Sequence, residues 1–282
     1  MKMGFDKITV VINTFHSEER INKCLDSVPK NLEVIIIENS SNTKFKSEVE
    51  KKYSNVTCFL AGENLGYAKG NNLGLSKVKT QFALILNPDA KIEKGTINNF
   101  LISADLIKDF SIIGPAIQDE FNSSEENLPK QDLFQVDYLK GFAMFLNLEE
   151  FKEIGFFDEN FFIYLEEIDL CRRLKKEKKK IYLDKKIKIS HLGGSSHNKV
   201  IDYEMELSRN WHWMWSKFYF NKKHYGLTYS LLSVSGNFIS SLLKTIFYTF
   251  IFNKKKRKIY FQRFSGLTNS IIGKKSWYRP KI

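Results

Sequence analysis

Apolar residues in the first half of the chain come in short unbroken runs, and amphipathic segments separate them. Ile8 to Thr14 reads as a buried strand, Ser17 as the cap of a helix running to about Ser27, and Glu33 to Glu38, which contains Val34-Ile35-Ile36-Ile37, as a second buried strand. A polar helical segment precedes a short strand at Val56–Leu60. Gly66 to Lys77 has helical spacing, Phe82-Ala83-Leu84-Ile85-Leu86 is a central strand, and Glu93 to Ile107 is again helical. Strands that are apolar at every position are buried on both faces, the mark of a mostly parallel sheet with helices on each side. The expected fold is α/β, Rossmann-like and doubly wound, with ligands at the carboxyl ends of the strands.

The middle of the chain is less regular. Asp119 to Asp132 is polar and reads as a mobile loop. Tyr138 to Leu146 reads as a strand carrying Gly141, a helix starts near Glu166, and Ile181-Tyr182-Leu183 and Ile187-Lys188-Ile189 are short strands. Beyond residue 200 the pattern changes. Trp211, Trp213, Trp215, Phe218, Tyr219 and Phe220 form an aromatic belt, and Leu227 to Phe252 is largely apolar. Ser230, Ser233, Asn237, Ser240 and Lys244 draw one narrow polar stripe along it, and Lys254-Lys255-Lys256-Arg257-Lys258 follows at once. These are the ingredients of a helix lying in a membrane interface. The plainer alternative packs the helix on the catalytic domain with its polar stripe in solvent. Lys244 and the hydroxyls weaken any reading as a true span, which needs about 20 apolar residues.

Charge sharpens this division. Residues 1–199 hold 29 basic and 29 acidic side chains, whereas residues 200–282 hold 15 basic and 3 acidic ones and so carry the whole net charge of +12. A basic tail calls for an anionic partner. No nucleic-acid motif is present, and the adjoining apolar helix favours lipid over nucleic acid. Cys24, Cys58 and Cys171 are scattered and form no C-x-x-C pair, against a disulfide framework or zinc site and in keeping with a reducing compartment. The first residues show no apolar signal core, so the expectation is a cytosolic protein, peripheral on the cytosolic face of the inner membrane.

Three places carry candidate chemistry. In Phe161-Phe162-Ile163-Tyr164-Leu165-Glu166-Glu167-Ile168-Asp169, three carboxylates follow an aromatic and aliphatic run. Desolvation and like charges raise carboxylate pKa values, which suits a general base near neutral pH. Asn87-Pro88-Asp89 stiffens the turn after the central strand, so Asp89 either holds Mg²⁺ or Mn²⁺ at the strand tip or merely shapes the turn. His191, before Leu192-Gly193-Gly194-Ser195, either completes a metal or diphosphate site or is a histidine in a glycine loop without a ligand. Asn64 to Gly74 is a glycine- and asparagine-rich helix start that either faces a bound group or packs closely on the sheet. It matches neither a dinucleotide fingerprint nor a P-loop.

Taken in order, these residues resemble family 2 glycosyltransferases of the GT-A fold, and more narrowly the rhamnosyltransferase-like branch of bacterial surface-polysaccharide synthesis. The likeness rests on Val10-Val11-Ile12-Asn13-Thr14-Phe15, Ile37-Glu38-Asn39-Ser40-Ser41, Asn64 to Gly74, Leu86-Asn87-Pro88-Asp89-Ala90, Gly155-Phe156-Phe157-Asp158-Glu159, Tyr164 to Leu170 and His191 to Ser195, within roughly residues 7–225. The charge shift sets a boundary near residue 200, separating a helical extension over 200–282 from a domain over 1–199, which the resemblance makes catalytic, with a nucleotide-sugar half to about 115 and an acceptor half from 116. The resemblance implies that Thr14, Phe15 and Glu38 line a nucleoside pocket and that Asn64, Gly66 and Asn72 help seat the nucleotide. Asp89 matches the last position of the family's D-x-D metal motif, with Asn87 in place of its first Asp, and His191 is a second metal or diphosphate contact. Glu167 inherits the role of base beside Glu166, where the family more often has Glu-Asp, and Asp169 braces the helix or acceptor pocket. The implied reaction is inverting transfer from a dTDP-rhamnose or UDP-hexose donor, with Mg²⁺ or Mn²⁺, to a glycan or polyprenyl-diphosphate-linked acceptor. A sugar nucleotidyltransferase is the nearest enzymatic rival, but Asn13-Thr14-Phe15-His16-Ser17 stands where its basic glycine loop would be. A non-catalytic, membrane-docked protein of the same fold is the rival of another class.

Overall fold

A computed structural model describes residues 4–116, 130–191 and 197–282. The polar stretch expected as a loop over 119–132 lies largely outside these residues, as does the Leu192–Ser195 part of the histidine motif. The elements run β1 (Ile8–Thr14), α1 (Glu18–Ser27), β2 (Glu33–Glu38), α2 (Thr43–Lys52), β3 (Val56–Leu60), α3 (Gly66–Leu75), β4 (Phe82–Leu86), β5 (Ala90–Ile92) and α4 (Thr96–Ile107). They continue with β6 (Ile112–Pro115), β7 (Leu133–Gln135), β8 (Ala143–Asn147), α5 (Glu166–Lys176), β9 (Ile181–Asp184), β10 (Ile189–His191), α6 (Asp202–Phe250) and α7 (Lys254–Ile271).

Eight strands form one mixed sheet in the order β3-β2-β1-β4-β8-β6-β9-β7, and β10 pairs with β5 in a separate two-stranded ribbon. From β3 to β4 every pairing is parallel, whereas β8 is antiparallel to both β4 and β6. The apolar runs explain the arrangement. All five residues of β4 are buried, as are the last five of β2, so no face is left for water. Phe82, Phe100, Phe110 and Phe145 pack ring to ring at the centre, with Phe82 and Phe145 centroids 5.1 Å apart and Phe100 and Phe145 4.9 Å apart.

Several boundaries differ from expectation for local reasons. Ser17 stands at the N-cap of α1, but its hydroxyl turns back to Phe15, accepting from the amide at 3.2 Å, and does not cap the helix. Helix α4 starts at Thr96 rather than Glu93, because Gly95 takes a left-handed φ of 89° and breaks the chain direction there. The strand expected over 138–146 is Ala143–Asn147; Gly141 and Phe142 form a turn, and the Phe142 carbonyl accepts from the Asn87 amide at 2.8 Å. The strand expected at 187–189 lies at Ile189–His191. Strands β5, β6 and β7 are too short to leave a pattern.

The described chain divides into two compact units. The first comprises residues up to 65, 69–157 and 167–198, and holds both sheets; the second comprises 66–68, 158–166 and 199–282. In the second unit Gly226 interrupts α6 with φ 84°, giving two helical segments, and α7 packs along them. Trp211, Trp215 and Tyr278 form its core. The polar stripe of the second α6 segment does not face solvent as the plainer alternative required. Ser230 is buried and Ser233 and Asn237 are half-buried, bonded to Asn221 and Lys217 of the first segment, while only Lys244 emerges. No helix among the described residues is long and apolar enough to cross a membrane.

His212 ties residues 276–279 into this unit. Its ring nitrogens lie 2.8 Å from the Tyr278 carbonyl and 3.0 Å from the Ser276 hydroxyl, so the neutral ring donates to the first and accepts from the second. Burial, reinforced by the Arg279 charge, pushes its pKa down to about 3 from the usual 6.5. A base with a depressed native pKa favours folding fully above 6.5 and loses that contribution as pH falls toward 3. Acidification in this window is expected to cost about 1.4 kcal/mol per pH unit from this one group. Denaturant unfolding at a series of pH values checks it: in His212→Gln the slope between pH 6.5 and 5 should flatten.

Candidate active site

Strand β4 delivers its carboxyl end between β1 and β8, and Asn87-Pro88-Asp89 turns there into β5 with the Ala90 amide donating to the Asn87 carbonyl at 3.0 Å. Strand β10 then runs antiparallel to β5, in a register that sets His191 opposite Ala90. The result is a close pair: His191 Nε2 lies 3.2 Å from Asp89 Oδ1, and the Asn87 amide nitrogen stands 3.5 Å from the same ring nitrogen. Phe142 stacks flat on the imidazole, centroids 4.6 Å apart and planes 9° apart, which fixes the ring orientation. The Asp89 side chain is 1% exposed, and neither oxygen has a hydrogen-bond partner among the described residues. A buried carboxylate so poorly satisfied is costly unless a cation meets it.

That is the observation on which a divalent metal fits. Asp89 and His191 offer an oxygen and a nitrogen, and Asn87 a neutral amide beside them. No group of three or more His, Cys, Asp or Glu among the described residues is arranged to hold a metal ion. If an ion were held there, these residues would supply only part of its coordination shell, and a ligand with its own oxygens would have to complete it.

Glu167 lies in the first turn of α5. Tyr164 and Leu165, just before the helix, both take left-handed backbone conformations, with φ of 74° and 70°. Two such non-glycine residues in succession cost roughly 1–3 kcal/mol each and cluster at functional sites. Glu167 is half-buried, and the protein packed around its carboxyl raises its pKa above the usual glutamate value, opposed by its own amide and that of Ile168. The adjacent Glu166 is buried and lies near Tyr164, whose hydroxyl burial pushes up to about 12. Asp169, wholly buried, accepts from Arg173 Nε at 2.9 Å, and the same guanidinium reaches the carbonyls of Ile154 and Phe156. Asp169 thus braces α5 against the 154–156 turn. Among the described residues no hydrogen bond or ion pair joins Glu167 to the Asp89–His191 pair. Their link is through backbone: Cys171 on α5 meets the Leu139 backbone, and the segment from Leu139 runs into Phe142, which stacks on His191 and bonds to Asn87.

The residues expected around the nucleotide are more engaged with their own chain than the sequence suggests. Glu38 accepts from the Ser40 amide at 2.9 Å, from the Asn42 amide at 2.7 Å and from the Ser40 hydroxyl, so its carboxylate shapes the loop after β2. Thr14 donates its hydroxyl to the Ile37 carbonyl at 3.2 Å. Phe15 is half-buried and edge-on to His16, whose carbonyl accepts from Asn198 at 2.9 Å. Asn64 is half-buried, two residues before the start of α3. Asn72 bonds both amide ends to the Phe157 backbone, at 2.9 and 3.1 Å. Gly66 has φ 76°, and a Cβ there would collide with the Phe162 carbonyl and ring, so the second unit requires glycine for close packing. Two residues given no role from sequence matter here. Asn39 bonds to the Asn13 side chain, to the Thr14 carbonyl at 3.0 Å and to the Leu65 amide at 3.1 Å, tying the tips of β1 and β2 to the start of α3. Phe142 is the other, and nothing in its sequence neighbourhood marks it as the platform under His191.

The profile of glycosyl transferase family 2 matches residues 9–172. The chain is 28% identical over 195 residues to the low-salt glycan biosynthesis hexosyltransferase Agl10 of Haloferax volcanii, across 61% of this chain and 62% of Agl10. The chain thus spans about three fifths of that relative. It is 22% identical over 218 residues to the N-acetylglucosaminyl-diphospho-decaprenol L-rhamnosyltransferase of Mycobacterium tuberculosis, across 61% of this chain and 71% of that one. Among solved structures it resembles the mannosyltransferase PcManGT of Pyrobaculum calidifontis in complex with GDP-Man and Mn²⁺, with a TM-score of 0.60 at 12% identity over 94% of this chain and 87% of that one. This last likeness speaks for the fold alone, a GT-A-like mixed α/β sheet with a helical C-terminal extension. Because the profile covers more than half of the residues, from β1 into α5, the chain belongs to glycosyl transferase family 2.

Proposed function

We propose that this protein moves a sugar from a nucleoside-diphosphate donor, of the dTDP-rhamnose or UDP-hexose type, to a hydroxyl of a glycan acceptor carried on a polyprenyl diphosphate at the cytosolic face of an anionic membrane. The observation that carries the proposal is the Asp89–His191 pair at the carboxyl end of β4, a buried carboxylate with no hydrogen-bond partner among the described residues. The Mn²⁺ and GDP-Man in the PcManGT complex and the decaprenol-linked acceptor in the mycobacterial relative's name support the donor and acceptor classes.

Asp89 and His191 would hold Mg²⁺ or Mn²⁺ together with the donor diphosphate. When bound, the ion neutralises charge that develops on the leaving diphosphate. Glu167 accepts the proton of the acceptor hydroxyl, for which its raised pKa suits it at neutral pH. The hydroxyl oxygen bonds to the anomeric carbon from the face opposite the diphosphate, the carbon–oxygen bond to the diphosphate breaks, and configuration inverts. Asn87 and Phe142 keep the His191 ring in place, and Asp169 with Arg173 fixes the helix that presents Glu167.

Release of nucleoside diphosphate from dTDP-rhamnose and UDP-hexoses, with and without a polyprenyl-diphosphate-linked glycan, tests the proposal; no acceptor-dependent release from any donor would overturn it. Glu167→Gln is expected to lower kcat by roughly 10²–10⁴-fold while donor binding persists. The same variant is expected to melt higher than the parent at pH 7. A raised native pKa means that the charged carboxylate is unfavourable in the fold above the usual glutamate value of 4.5, so the gain should vanish below that pH. Asp89→Asn is expected to abolish the thermal shift produced by Mn²⁺ with UDP or dTDP, and to slow transfer by about 10²-fold or more.

A further inference from the structure

The second segment of α6, residues 227–250, is turned inside out for a helix in water. Its inner side packs Val234 against Met214, Phe218 and Leu267, and Phe238 against Phe264 at 4.9 Å. Four hydroxyls of this segment are satisfied by its own backbone: Ser230, Ser233 and Ser241 donate to carbonyls three residues back, and Thr245 to one four back. Its outer side is apolar and open. Leu232, Ile239, Leu243, Phe247 and Phe250 recur at helical spacing along one face and are 71, 57, 59, 55 and 76% exposed, and Phe252 at the turn into α7 is 88% exposed. A contiguous face of this kind marks an interaction surface.

Charge identifies the occupant. After Glu206 the sequence contains no acidic residue and 15 basic ones. Lys254 to Lys258 are all exposed, immediately beyond Phe250–Phe252. Lys244 lies over the Tyr260 ring at 5.0 Å and Lys256 over the Tyr248 ring at 5.4 Å, so cations and tyrosines share the border of the apolar face. A second copy would bring an identical basic cluster to the same place, whereas anionic lipid phosphates complement it.

We propose that the hairpin over residues 227–271 is a monotopic membrane anchor. It lies flat in one leaflet of an anionic bilayer, with the Leu232–Phe252 face about 5–10 Å into the acyl boundary and Lys254–Lys258 on the phosphates. The proposal deepens the membrane part of the function proposed above, but it is tested without donor or acceptor. Vesicle binding without transfer would sink only the enzymatic proposal, and transfer without vesicle binding only this one. The full chain is floated with vesicles of phosphatidylcholine alone or mixed with phosphatidylglycerol. It should float with the mixed vesicles and much less with the neutral ones. Replacing Lys254, Lys255, Lys256, Arg257 and Lys258 by Gln, or Phe250 and Phe252 by Asp, should each lower the partition coefficient by about tenfold or more. These side chains are exposed, and unchanged circular dichroism and melting would verify the fold. An environment-sensitive dye on Ile239→Cys or Leu243→Cys should shift to the blue only when mixed vesicles are added. Equal flotation of parent and both variants, no flotation with mixed vesicles, or a dye already blue-shifted in a dimer seen by light scattering would overturn the proposal.

Discussion

An ionisable side chain sealed at the tip of a fully buried strand is the constraint around which the first unit is organised. Asp89 can be there only because β4 is central and rigid, and it is tolerable only because a histidine from a distant strand is held against it. The β5–β10 ribbon supplies that histidine, and the Phe142 ring prevents it from turning away. The antiparallel insertion of β8 beside β4 shapes this corner as well, since the turn before it brings Phe142 against His191 and its carbonyl to the Asn87 amide. Remove any one of these and the buried carboxylate loses the imidazole held 3.2 Å from it.

The acidic cluster after Phe162 divides into unlike parts once folded. Asp169 is neutralised by Arg173 and serves geometry, Glu166 is buried, and Glu167 alone combines partial exposure with a raised pKa. Neighbouring carboxylates thus come to stand in different environments through burial and ion pairing.

Much of this was legible in the chain because the parallel strands are apolar at every position. Runs such as Val34–Ile37 and Phe82–Leu86 announce themselves, and the helices between them follow from spacing. The three-residue strands β5 and β10 have too little length for any period, yet they decide that Asp89 and His191 meet. Asn39 and Phe142 were invisible as supports, since an amide or a ring shows its use only through its partners. Glu38 and Asn72 teach the converse: polar residues in a motif bond heavily to their own backbone, which side-chain chemistry alone does not reveal. The polar stripe on α6 is plain in the spacing, but its direction depends on α7 and on the first segment of the same helix.

The strand order carries a consequence for synthesis. Strands β1 to β4 can assemble as they emerge, each finding a neighbour already made. Strand β6 cannot, because its place in the sheet lies beyond β8, which is translated later. Until residue 147 has left the ribosome, the free edge of β4 and the bare Ile112-Ile113 pair have no partner. A nascent chain paused in that interval would present an unpaired sheet edge to chaperones and to its own neighbours on a polysome.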